Sequence, residues 1–81
     1  MKYNRTTTGA GIVYAVSGYE FDYRIRKQFG YDTWRLEHRR ITNEVYGLRL
    51  LHFENWIEIG RFEYLKDAKK AYEMVIGGAT L

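Results

Sequence analysis

Apolar Tyr19, Phe21, Tyr23 and Ile25 alternate with polar Glu20, Asp22, Arg24 and Arg26. A period of two is what a strand with one packed and one wet face produces. Thr33 to Ile41 repeats the pattern, with Trp34 and Leu36 on one side and Arg35, Glu37 and Arg39 on the other. Between them Phe29-Gly30-Tyr31-Asp32 reads as a turn in which glycine is the permissive residue, so the two segments predict a hairpin. Upstream, the β-branched run Ile12 to Val16, ended by Ser17-Gly18, predicts a first strand. Downstream, Trp56 to Phe62 is strand-like. Leu65, Ala68, Ala71, Tyr72, Val75 and Ile76 then recur at helical spacing and predict a helix over 65–76, closed by Gly77-Gly78. Residues 1–10, polar and Thr-rich, read as a flexible arm. The stretch 42–55 has turn candidates at Thr42-Asn43-Glu44, Tyr46-Gly47 and Phe53-Glu54-Asn55, so it reads either as long hairpin arms or as an extra strand near Leu48 to His52. The pattern predicts an α+β fold: an antiparallel sheet of three to five strands over 12–62, packed on one C-terminal helix.

Composition narrows this to one small domain. A chain of 81 residues buries only about 60% of its unfolded surface, so large side chains must do much of the packing. Eight Tyr, four Phe and two Trp are available for it. There is no Cys, hence no disulfide and no thiolate metal ligand, which suits a reducing cytoplasm. Met1 to Thr8 has no apolar signal core, and no apolar run is long enough to cross a bilayer. The expectation is a soluble cytoplasmic protein without a membrane partner.

Charge is unevenly placed. The net charge is only +3, yet Arg24 to Arg40 holds six basic residues against two acidic ones. Such a patch attracts polyanions, and an acidic protein surface answers to the same field. Catalytic chemistry finds little to build on. His38 and His52 are the only imidazoles and are not at helical metal-binding spacing, Ser17 lies beside Gly18 in a turn, and no glycine-rich loop opens a helix. The chain therefore reads as a non-enzymatic binding module with no cofactor, metal or small-molecule substrate. If Arg24, Arg26, Arg35 and Arg39 alternate with apolar neighbours, they share one sheet face. Guanidinium groups on such a face pair with phosphates or bidentately with guanine. A sheet with one covered face also needs a polar outer face whatever it binds, and Arg is an ordinary choice for it.

Two blocks of the chain carry a family resemblance. Tyr23-Arg24-Ile25-Arg26-Lys27-Gln28-Phe29-Gly30-Tyr31-Asp32-Thr33-Trp34-Arg35-Leu36-Glu37-His38-Arg39 resembles the first two strands of the APETALA/ethylene-response-factor type of DNA-binding domain. Ile59-Gly60-Arg61-Phe62 followed by Ala68-Lys69-Lys70-Ala71-Tyr72-Glu73 is similar to that family's last strand and helix. The resemblance implies a three-stranded antiparallel sheet backed by one helix, with the sheet in the major groove of double-stranded DNA. It implies that Arg24, Lys27, Tyr31, Glu37 and Arg39 face DNA, that Gly60, Phe62, Ala68 and Ala71 join sheet to helix, and that Tyr72 lies near a backbone phosphate. Glu58 falls where the family has a DNA-facing Trp, and Trp56 comes two residues earlier.

Three readings follow. The first is a DNA-binding module using Arg24, Lys27, Arg35 and Arg39, which predicts Arg24, Arg35 and Arg39 exposed opposite the helix. The second is a protein-binding module, such as a phage or mobile-element accessory protein that inhibits a host protein complex, because Tyr, Trp and Arg are the usual interface anchors. The third is binding of RNA or single-stranded nucleic acid, with Tyr31 and Trp56 as stacking platforms.

Overall fold

The computed structural model describes residues 3–18, 20–42, 52–53 and 55–77. Among them are six strands and one helix: β1 (Asn4–Thr8), β2 (Gly11–Ser17), β3 (Phe21–Gln28), β4 (Trp34–Thr42), β5 (His52–Phe53), β6 (Ile57–Phe62) and α1 (Leu65–Ile76). All pairings are antiparallel, in the order β1-β2-β3-β4. The far edge of β4 is shared: β6 pairs with Trp34 to His38, and β5 pairs with Ile41 and Thr42. The fold is the expected α+β domain, and the helix has the expected span.

The N-terminal segment departs from expectation. Asn4–Thr8 is paired along its length with Ala15 to Gly11, so most of the supposed arm is an edge strand. Its five residues are all exposed. An edge strand packed on neither face needs no apolar alternation, and its β-branched threonines suit extended backbone. The turn candidates at Asn43-Glu44 and Tyr46-Gly47, residues 48–51 of the alternative extra strand near Leu48 to His52, and Tyr19, Glu54 and Gly78 lie outside the described residues, while His52 is in β5.

The core lies between α1 and the middle of the sheet. Ile25 and Leu36, opposite one another on β3 and β4, are buried beneath Ala68, Ala71 and Tyr72 of the helix. Two alanines on the packed stripe bring the helix axis close to the sheet, and the Tyr72 ring supplies the bulk. That ring meets Tyr23 edge-on at 5.1 Å and Tyr3 at 5.6 Å between centroids. Burial raises the phenol pKa of Tyr72, Tyr23 and Tyr3 above the ordinary 10.0.

β6 contains a close contact at Gly60. The Phe62 ring folds back over this glycine, so a β-carbon added there would lie 2.8 Å from a ring carbon. Absence of a side chain at Gly60 is thus what seats Phe62 against the core.

Candidate nucleic-acid interface

Alternation along β3 and β4 sends Asp22, Arg24 and Arg26, and Arg35, Glu37 and Arg39, to the face opposite α1, because directly paired residues share a face. β6 adds Arg61, opposite Arg35, and Glu58, opposite Glu37. Glu58 and Arg61, three residues apart, share this face because of an irregularity in register. Leu36 pairs with Gly60 and Glu37 with Glu58, which leaves Ile59 as an extra residue in a β-bulge. Were Ile59 paired in a regular ladder, Glu58 would have the parity of Gly60, on the helix side.

The register sets like charges directly opposite one another: Arg26 faces Arg35, and Glu37 faces Glu58. Arg26 turns diagonally to Glu37 and Arg35 to Glu58, while Arg24 and Arg39 meet the carboxylates directly opposite them. Glu37 Oε1 accepts from Arg24 Nε and from Arg26 Nε, both at 2.7 Å, and its Oε2 accepts from Arg26 Nη2 at 3.3 Å. Glu58 draws Arg61 Nε to 2.9 and 3.0 Å from its two oxygens and Arg35 Nε to 3.6 Å. Asp22 accepts from Arg39 Nε at 3.2 Å. Glu37 is only 6% exposed, and burial of that carboxylate is tolerable because two guanidinium groups hold it.

Trp56 joins the same face. The guanidinium carbon of Arg24 lies 4.1 Å from its ring centroid, and that of Arg39 lies 4.6 Å away. Arg35 lies 5.3 Å from the ring of Tyr31. Two aromatic rings therefore carry three of the arginines, a cation–π arrangement that fixes the guanidinium planes.

The predicted site residues divide accordingly. Arg24, Arg35 and Arg39 are brought together opposite the helix, but their side chains are only 23, 20 and 29% exposed. They lie folded onto the sheet instead of projecting from it. Glu37 is on the face but committed to Arg24 and Arg26. Tyr31 is exposed at the hairpin tip. Lys27 does not belong to the set. It has the parity of Ile25, sits opposite Ile12, and places its ammonium 5.9 Å from the Trp34 ring on the helix side. Tyr72 does not belong either, because its ring is buried between helix and sheet, on the side away from the arginines.

Arg26, Arg61 and Trp56 complete the face. Arg26 was legible from alternation alone. Arg61 and Glu58 required the bulge, and Trp56 required the path of the chain just before β6. Arg61 is the most open of these arginines, with its side chain 57% exposed. Among the described residues the face holds five arginines against three carboxylates, bordered on β2 by Val13 opposite Arg26 and Ala15 opposite Arg24.

Among the described residues no group of His, Cys, Asp or Glu could hold a metal ion, and no helix is long and apolar enough to cross a membrane. Compared with known protein families, curated proteins and solved structures, the chain matches none.

Proposed function

We propose that this chain is a non-enzymatic DNA-binding module that lays the arginine face of its sheet into the major groove of duplex DNA. The observation that carries the reading is the co-facial set Arg24, Arg26, Arg35, Arg39 and Arg61, held by Glu37, Asp22 and Glu58 in fixed positions opposite the helix. Arg24 and Arg61 reach their carboxylates through Nε, and a guanidinium has four further N–H donors for phosphate oxygens or a guanine edge. Holding the guanidinium groups in place before binding lowers the ordering cost of each contact. The resemblance to the APETALA/ethylene-response-factor type supports the same reading, since the three strands in contact with α1 are β3, β4 and β6.

A mobility-shift titration against duplex DNA at two salt concentrations tests it. Binding should weaken steeply with salt, and Arg35→Ala/Arg61→Ala should lower affinity roughly tenfold or more and flatten the salt dependence. Absence of a complex at low salt, or a variant that binds as wild type, defeats the reading.

The protein-partner reading has a separate observation in its favour. Ile76, exposed on the last turn of α1, lines an open cleft with Phe21, Tyr23 and Val75. If Ile76→Asp abolishes capture of a host protein while DNA binding is absent, this second reading takes precedence.

A further inference from the structure

β1 is an open edge of the sheet. Among the described residues no strand pairs with its outer side, and all five of its residues are exposed. A strand edge presents backbone N–H and C=O groups ready to pair with another chain, and proteins blunt such edges with bulges, proline or charge. The opposite edge is blunted in this way: β6 carries the bulge at Ile59 and the charged side chains of Glu58 and Arg61. β1 has none of these devices. It pairs with β2 in unbroken register from Asn4 to Thr8 and contains no proline. Its one charge, on Arg5, is turned back onto its own sheet, where Nε donates to the Tyr14 hydroxyl at 3.2 Å.

The alternation of hydrogen bonds identifies which backbone groups face outward. The Phe29 N–H donates to the Ala10 carbonyl at 2.9 Å, so Ala10 bonds toward β3. Ile12 and Tyr14, in step with it, bond toward β3 as well, and Gly11, Val13 and Ala15 bond toward β1. Their partners Thr8, Thr6 and Asn4 therefore bond inward, and the N–H and C=O groups of Arg5 and Thr7 point away from the sheet.

These groups are self-complementary. About a twofold axis at Thr6, Arg5 meets the partner's Thr7 and Thr7 meets the partner's Arg5, which bonds every outward group of Arg5 and Thr7 in both copies. Thr6 then faces the partner's Thr6 in the close position between hydrogen-bonded pairs, and Asn4 faces the partner's Thr8. The strands overlap along their whole length and no like charges are opposed. Shifting the pairing by two residues is worse in either direction. One shift sets Arg5 directly against the partner's Arg5, which is destabilising. The other sets Arg5 against the partner's Gly9, in the turn beyond the strand.

We propose that β1 is a self-association edge, and that two copies of this chain join through antiparallel pairing of Asn4–Thr8 about a twofold axis at Thr6, forming one continuous sheet. The assignment does not depend on what the arginine face binds. Five residues a side is far fewer than the about 20–30 of a standard interface, so the dimer is weak, with a dissociation constant on the order of 100 μM.

Sedimentation velocity on the full chain from about 10 μM to 1 mM brackets that constant. The expected result is a shift from monomer to dimer across the series. Thr7→Pro removes an outward N–H that the monomer does not use, at an edge position where proline is tolerated. It should abolish the dimer and leave the thermal midpoint of the dilute chain unchanged. Thr6→Lys and Thr6→Glu should each weaken the dimer roughly fivefold by setting like charges across the axis. An equimolar mixture of the two should restore it, because Thr6 faces its own copy in this register and in neither shifted one. If Thr7→Pro fails to fold, the mixture decides alone. A chain that stays monomeric to about 1 mM overturns the assignment, including one whose edge instead takes a strand of a different protein. A dimer that survives Thr7→Pro lies on another surface and overturns it too, as does a mixture that associates no more tightly than either charged variant.

Discussion

The two faces of this sheet bury their side chains by different means. Under α1, Ile25, Leu36 and Tyr72 are packed by apolar and aromatic contact. On the other face Glu37 is nearly as buried as they are, but its cover consists of Arg24 and Arg26. Apolar packing is non-directional and stabilises whatever fills the space. The ion-paired face is directional, with every guanidinium assigned to a named carboxylate or ring. Such a face contributes less net stability than its contacts suggest, because desolvation offsets attraction, and what it supplies instead is position.

Substitutions test that contrast. Leu36→Ala should have the largest effect, about 2–5 kcal/mol of lost stability in urea unfolding, as for other fully buried leucines. Glu37→Gln should cost less, about 1–3 kcal/mol, since the arginines left behind are partly solvated and regain water. If it costs as much as Leu36→Ala, the arginine face is a second core and the contrast collapses.

Alkaline pH probes the helix side alone. The Tyr72 pKa is raised by burial and then by Tyr23, and that of Tyr23 by burial and then by Glu20. The folded state keeps the phenols neutral, so their contribution is complete below the unfolded value near 10.0 and is lost as pH rises through the higher folded values. Circular dichroism should show stability falling from about pH 10 upward, with a smaller loss in Tyr72→Phe. A flat profile would mean that these phenols ionise without cost.

Glu58→Gln should have the smallest effect on stability, within about 0.5 kcal/mol, because its nearer partner, Arg61, is exposed. In the DNA titration the same substitution should tighten binding by releasing Arg35 and Arg61 from a carboxylate. Weaker binding would show that Glu58 is needed to hold those arginines in place.

The helix and the central hairpin were legible in the sequence because each has a single periodicity over eight or more residues. Tyr23 to Arg26 and Trp34 to Arg39 fell on the expected faces for that reason. β1 was not legible, because an edge strand exposed along its length leaves no apolar trace. Parity alone could not bring Glu58 and Arg61 to one face, since one unpaired residue changes the phase on one side of itself and nothing in Ile57-Glu58-Ile59-Gly60 announces where it sits. Lys27 and Tyr72 went astray for the opposite reason. Alternation with Ile25 and helical spacing with Ala68 already placed them on the helix side, and the family resemblance overrode both.

The bulge at Ile59 also gives β6 a tolerance to changes in length. Ile59 has no cross-strand partner, so a chain lacking it would close into a regular ladder with Trp56 and Glu58 still beside the arginines, losing only the contact of Ile59 with the core. Removing Gly60 instead moves Ile59 into its place, where a β-carbon lies 2.8 Å from the Phe62 ring; removing Arg61 takes a guanidinium from the face; and a residue added after Gly60 displaces the glycine from under that ring. Deletion and insertion within this strand should therefore be unequal in outcome: one position is dispensable to the architecture of the binding face, and its neighbours are not.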